Sequence, residues 1–142
     1  MTTHRIEIEE QVNVSPERAF ALFADHKRFG KLLNAPVRRV KDSEQADPNG
    51  LGSVRKIGIG PIGLEETIIR FEPDSVIEYT VTSLSLVRNH LGRIRFTLQG
   101  ERQTLINYCI SFDAIVPFTG DIIAKALEHS MRKGIRRVPA LA

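Results

Sequence analysis

Apolar and polar residues alternate from the start of the chain. In the stretch HRIEIEEQVNV (4–14), Ile6, Ile8, Val12 and Val14 share one parity with polar residues between them. That is the period of a half-buried strand. Glu10 falls on the apolar side and breaks the pattern. The period changes at Ser15-Pro16-Glu17. Serine is a good N-cap, proline suits the first helical position, and an early glutamate complements the helix dipole. Ala19, Phe20, Leu22 and Phe23 follow at helical spacing, and Asp25 ends this short helix. A second short helix, over roughly residues 26–34, carries Phe29, Leu32 and Leu33 and is stopped by Pro36.

From Val37 to Asp113 the signals are all strand and turn. VRRVKDSE, SVRKIGI, LEETIIRFE, VIEYTVTSLSL, HLGRIRFTLQ and QTLINYCISFDA are separated by short turn clusters such as Asp47-Pro48-Asn49-Gly50 and Pro73-Asp74-Ser75. Strands of this length with short turns predict an antiparallel meander. The last segment returns to a period near 3.6, with Ile122, Ile123, Ala126, Leu127, Ser130, Met131, Ile135 and Val138 on the recurring positions. Thr119 or Asp121 can cap this helix, and Lys133, Arg136 and Arg137 crowd its final turns, where positive charge is favoured. Gly134 weakens it locally by up to about 1 kcal/mol. The order is strand, two short helices, six strands, long helix. A meander has one face to bury, and the long amphipathic helix is its cover.

Gly58-Ile59-Gly60-Pro61-Ile62-Gly63 spells the G-x-G-x-x-G spacing of a dinucleotide fingerprint. That fingerprint needs a helix after it, within a parallel βαβ unit. LEETIIRF follows instead, rich in β-branched residues, and Pro61 removes one backbone N–H that a phosphate cradle would use. The stretch reads as a hairpin turn.

Composition narrows the class. At 142 residues, 42% hydrophobic and 26% charged, the chain suits one domain spanning 1–142. A net charge of +3 permits an anionic ligand without demanding nucleic acid; with 6% aromatics and no Trp, stacking platforms for bases are scarce. The basic cluster Lys125, Arg132, Lys133, Arg136 and Arg137 has no interleaved aromatics, so nucleic acid is not an expected partner. Cys109 is the sole cysteine, which removes internal disulfides and points to a reducing, cytoplasmic setting. The polar, acidic stretch MTTHRIEIEEQ and the lack of long apolar runs lead to the expectation of neither a secretory leader nor a membrane span.

These elements and their order resemble the polyketide cyclase/dehydrase-type members of the START-like, helix-grip (SRPBCC) superfamily, which includes the birch-pollen-allergen proteins. The resemblance is carried by V-x-V-S-P-E-R-A-F-A-L-F-A-D (Val12 to Asp25), G-L-G-S-V-R (Gly50 to Arg55), E-T-I-I-R-F-E-P-D-S-V-I-E-Y (Glu66 to Tyr79), the Thr-bearing strand Thr104 to Phe112, and the C-terminal helix. It covers nearly the whole chain, and the order of these loose motifs is what is specific. One departure is Leu32-Leu33-Asn34-Ala35-Pro36, where the family often has Trp or Pro-Trp. The resemblance implies an α+β fold: a curved seven-stranded antiparallel sheet gripping the C-terminal helix, with two short helices between strands 1 and 2. It also implies a cavity between sheet and helix for a lipid, quinone or aromatic polyketide.

On that footing Phe20, Phe23, Phe29, Phe96, Leu127 and Met131 supply apolar wall, and Tyr79, Tyr108, Glu66 and Asn89 orient the ligand. By parity either Glu65 or Glu66 faces the cup, and the resemblance favours Glu66. Tyr79 shares parity with Ile77 and Val81, and Tyr108 with Ile106, Ile110 and Phe112, so both face inward. If the protein is a cyclase/dehydratase-type enzyme, Glu66 and His90 are its acid–base candidates. His4, His26 and His129 read as surface residues. The histidines are too dispersed for a metal site, and no metal or cofactor is expected. A third reading is a protein–protein module, and the strand edges leave room for a homodimer.

Overall fold

The computed structural model describes residues 3–58, 63–83 and 86–142. Its elements run β1 (Thr3–Val12), α1 (Pro16–Ala24), α2 (His26–Leu33), β2 (Val37–Lys41), β3 (Val54–Ile57), β4 (Leu64–Glu72), β5 (Val76–Val81), β6 (Val87–Gln99), β7 (Gln103–Ala114) and α3 (Gly120–Leu141). The strands form one seven-stranded sheet in the order β1-β7-β6-β5-β4-β3-β2, every pair antiparallel. This is the helix-grip architecture that the family resemblance implied.

Local chemistry sets the boundaries. The Ser15 hydroxyl accepts from the Arg18 amide and Pro16 opens α1. Asp25 has two jobs. Its amide closes α1 on the Ala21 carbonyl, and its carboxylate caps α2 by accepting from the Arg28 amide at 3.0 Å. Asn34 ends α2 in the left-handed conformation (φ 54°), which asparagine tolerates better than most residues. The sequence anomaly at Glu10 has an ionic cause: its inward-leaning carboxylate meets Arg132 at 3.4 Å and Arg136 at 3.9 Å on α3.

Residues 59–62 of the GIGPIG stretch lie outside the described residues. On either side of it β3 and β4 pair antiparallel from Ile57↔Leu64, so a strand and not a helix follows the glycines.

Three register shifts break the simple alternation, one between Arg39 and Lys41 in β2 and two that shape the site. In β4, Ile68 opposes Tyr79 and Arg70 opposes Glu78, leaving Ile69 as an extra, exposed residue. Beyond it, Phe71 rather than Arg70 sits opposite the buried Ile77 and packs on Phe20. In β6 the register shifts between Arg88 and Leu91, around Asn89 in the left-handed region (φ 52°) and His90.

The concave side of the sheet is filled unevenly. Phe20, Phe23 and Phe96 meet at centroid distances of 5.4 and 5.5 Å, with Tyr108 edge-on to Phe23. This cluster packs solidly beneath α1. The second half of α3 is equally tight: Ile135 and Val138 are fully buried and Gly134 lies against the Leu32 backbone of α2. The first half of α3 stands over a void, where Ile123 and Leu127 are only half-buried.

Gly92 of β6 pairs with Tyr79 of β5, and a Cβ there would fall 2.3 Å from the tyrosine ring. Gly92→Ala therefore must displace a buried ring. Overpacking of this kind costs about 1–3 kcal/mol, and urea unfolding of the variant is expected to show a midpoint lowered accordingly, with an unchanged slope.

Candidate functional site

The void beneath the first half of α3 is a cavity of about 350 Å³. Strand alternation aims Ile57 (β3), Leu64 and Glu66 (β4), Tyr79 and Val81 (β5) and Ile110 (β7) into it. Ile123, Leu127, Ser130 and Met131 line it from one face of α3, three and four residues apart. Phe29 and Leu33 of α2, with Ala35, close one side, and Leu86, Val87 and His90 complete the ring. Of the described lining residues only Leu86 is largely exposed, at 57%, so that residue reaches from the cavity to the surface.

The lining is apolar apart from Glu66, Tyr79, His90 and Ser130. Glu66 is buried because β4 turns that parity inward, while Glu65 takes the other side. Its partner is Arg55, directly opposite on β3 and 0% exposed. The Arg55 Nε donates to Glu66 Oε1 at 2.9 Å. Nη2 lies 2.9 Å from the same oxygen, but neither terminal nitrogen of Arg55 makes an aligned hydrogen bond among the described residues. The guanidinium is also stacked between rings, 4.0 Å from the Phe29 centroid and 4.7 Å from that of Tyr79. Burial pushes the Glu66 carboxyl above the ordinary carboxylate value, with the Arg55 charge and hydrogen bond opposing. Glu66 therefore holds its proton more strongly than a surface glutamate does, and the Arg55 charge sets the limit to that effect.

The bulge in β6 re-aims His90 into the cavity, its ring 5.4 Å from Tyr79. The Nδ1 of His90 is buried and has no hydrogen-bond partner among the described residues. Desolvation, with a smaller push from the Arg55 charge, drives its pKa down to about 4, so the imidazole is neutral at pH 7. Tyr79 and Tyr108 share a short hydroxyl–hydroxyl hydrogen bond, and burial pushes both phenols up.

Among the residues expected at the site, Phe29, Glu66, Tyr79, His90, Leu127 and Met131 converge on the cavity. Tyr108 lies one layer behind, bonded to Tyr79. Phe20, Phe23 and Phe96 belong to the packed cluster under α1 and not to the cavity lining. Asn89 sits on the surface turn of the bulge, its side chain donating to Asp113 at 2.8 Å. Sequence reasoning missed Arg55 and the remaining lining residues, among them Ile57, Leu64, Leu86, Ile110 and Ser130; for Arg55 the signal was a basic residue on the same parity as Ser53 and Ile57.

His26 is not a surface residue as expected: it is 1% exposed, its Nε2 2.9 Å from the Ser53 hydroxyl. His4 is half-buried, stacked on Phe112 at 5.4 Å, while His129 is exposed. Among the described residues no cluster of three or more His, Cys, Asp or Glu is placed to hold a metal ion. No helix among them is long and apolar enough to cross a membrane.

A curved antiparallel sheet, a long covering helix and a half-lined apolar cavity define the helix-grip class. The family described as polyketide cyclase / dehydrase and lipid transport matches residues 3–142, and the chain belongs to it. Solved structures with the same fold include a START superfamily protein from Mycobacterium smegmatis (TM-score 0.79, 14% identity, 98% of this chain and 99% of that one). They also include Ara h 8.0201 (TM-score 0.74, 14% identity, 99% and 98%) and truncated norcoclaurine synthase from Thalictrum flavum (TM-score 0.73, 14% identity, 96% and 93%). No curated protein matches the chain.

Two outcomes follow from the buried groups. Desolvation, reinforced by Arg55 and Arg39, lowers the His26 pKa from 6.5 to about 3. Between those values the unfolded chain takes up a proton that the folded chain refuses, so stability falls as pH drops through that window; His90 acts likewise from 6.5 to about 4. The raised Glu66 works in the opposite sense, its contribution fading as pH rises above 4.5. Thermal unfolding of His26→Gln across pH is expected to lose acid sensitivity, by at most about 1.4 kcal/mol per pH unit. Separately, Glu66→Leu alone strands the Arg55 charge and is expected to cost about 3–5 kcal/mol, whereas adding Arg55→Met recovers most of that loss. Chemical denaturation of the single and double variants measures both.

Proposed function

We propose that this protein binds a hydrophobic or amphipathic small molecule, of lipid, quinone or aromatic polyketide type, between the sheet and α3. The observation that carries the reading is the cavity itself: about 350 Å³, walled by apolar side chains, with three of its four polar residues, Glu66, Tyr79 and His90, on the β4–β5–β6 side and Ser130 facing them from α3. That is the composition of small-molecule sites, in which apolar area supplies affinity and a few polar atoms fix orientation. The charge balance refines it. Glu66 and Arg55 cancel, His90 is neutral, and both phenols are neutral, so the wall offers hydrogen bonds and no free cation. A ligand with a hydroxyl or carbonyl at its polar end suits this wall better than a free carboxylate.

A second reading, an acid–base enzyme of cyclase/dehydratase type, is favoured by one observation: Glu66 and His90, two titratable groups with opposite shifts, line the same cavity. Such pairs are the ordinary apparatus of proton transfer. Norcoclaurine synthase, an enzyme by its name, carries the same fold.

Native mass spectrometry of the protein purified from its own host is expected to retain a small-molecule adduct. Leu127→Trp, which fills the cavity from α3, is expected to lose that adduct without loss of folding. His90→Leu, which keeps the volume, is expected to weaken retention about tenfold, the worth of one hydrogen bond in a dry site. Retention unaltered in Leu127→Trp sinks the binding reading. For the enzymatic reading, chemical change of the bound compound by the wild type but not by Glu66→Gln is the deciding result.

A further inference from the structure

The loop between β7 and α3 places apolar side chains where a folded protein has no internal use for them. Phe118 is 98% exposed and adopts the left-handed region (φ 67°), a conformation that bulky residues avoid at a cost of about 1–2 kcal/mol. Ile122, one turn further on in α3, is 71% exposed. Ile115 and Val116 are exposed as well, and the Ile115 amide donates to the carbonyl of exposed Leu86 at 2.9 Å. Of the nine large hydrophobic residues exposed among the described residues, these five form one group. The group borders the cavity, because Leu86 is also part of the lining and Ile123, next to Ile122, is another part.

Charge accompanies the group. Arg88, two residues from Leu86, and Lys125, one helical turn from Ile122, are exposed with no carboxylate partner among the described residues. Two acids lie nearby: Asp113, opposite Arg88 in the β6–β7 register, accepts from Thr3 and Asn89, and Asp121, its side chain 88% exposed, lies 3.5 Å from His4.

We propose that Leu86, Phe118 and Ile122, flanked by Arg88 and Lys125, dock this protein on a lipid bilayer bearing anionic headgroups. A protruding ring inserts into a soft apolar phase, and the cations remain at headgroup level; interfacial binding sums these two contributions. A second copy of the chain is a poorer occupant. Stable protein interfaces engage about 20–30 residues a side, and five side chains around one projecting ring fall short. Docked this way, the open end of the cavity faces the bilayer, and an apolar molecule passes between the two without crossing water. That passage rests on the ligand-binding reading; the docking itself does not.

Flotation of the full chain with phosphatidylcholine vesicles, with and without phosphatidylglycerol, tests the proposal. The wild type is expected to float with the anionic vesicles and to be released by salt. Phe118→Ser with Ile122→Ser is expected to lower partitioning at least tenfold with an unchanged melting temperature, since both residues are exposed. Arg88→Gln with Lys125→Gln is expected to remove the preference for anionic vesicles. Leu127→Trp is expected to float like the wild type, which separates docking from occupancy of the cavity. Absence of flotation, flotation unaltered by the Phe118 and Ile122 substitutions, or a dimer in sedimentation that those substitutions dissolve would each overturn the proposal.

Discussion

A guanidinium with no exposed surface must be neutralised where it stands, and in this fold Arg55 has one carboxylate to do it. The β3–β4 register sets Arg55 directly opposite Glu66, and the pair bonds at 2.9 Å with both side chains turned inward. Sliding either strand by one residue would turn one charge out and leave the other buried alone, a loss of several kcal/mol, so the pair enforces the register that hydrophobic alternation alone would leave weaker. The same guanidinium lies against Phe29 of α2 and Tyr79 of β5. One buried ion therefore ties together four elements, and three of its neighbours (Glu66, Phe29 and Tyr79) are cavity wall. The polar side of the cavity exists because this charge had to be accommodated there.

The cavity also depends on departures from regular strand geometry. A sheet of uniform alternation would place Asn89 or His90 by parity alone, facing one a way and the other the opposite way along a straight β6. The bulge places Asn89 in the left-handed region, where its side chain ties down Asp113, and turns His90 inward. Two residues on, Gly92 vacates the volume that the Tyr79 ring occupies. With the ring seated there, its hydroxyl reaches Tyr108 and its face meets His90 and Arg55. Glycine, bulge and ring are thus one device, which keeps an aromatic wall thin enough to leave space in front of it.

The element order, the Ser15 cap, the end of α1 at Asp25 and the inward parity of Tyr79 and Tyr108 were legible in the sequence, because each rests on local period or capping chemistry; parity left Glu65 and Glu66 open, and only the family resemblance favoured Glu66. What was not legible depends on pairing between distant strands. Nothing local reveals that Ile69 is an extra residue, yet it decides that Phe71 and not Arg70 packs inward. Nor does parity separate a residue facing a void from one facing a neighbour. Phe20, Phe23 and Phe96 have the inward orientation expected of wall residues and spend it on one another. His26 looked like a surface residue at the start of a polar helix, HKRF. Its burial comes from the loop bearing Ser53, twenty-seven residues away in the chain.

The division of α3 into a packed half and an open half argues about purpose. Gly134, Ile135 and Val138 close against α2 and β1 without gaps, whereas the turns carrying Ile123 and Leu127 stand clear of the sheet. The sequence is able to fill space, and near α1 it does so with aromatic rings. Under the first half of α3 it leaves space instead, and the side chains there forgo contacts that the packed half makes. A ligand seated against Leu127 and Met131 restores the lost contacts, so occupancy and folding are coupled through the same helix face. That helix begins beside Phe118 and Ile122, the two most exposed large apolar side chains among the described residues, so on the docking proposed above a ligand would reach the cavity past them.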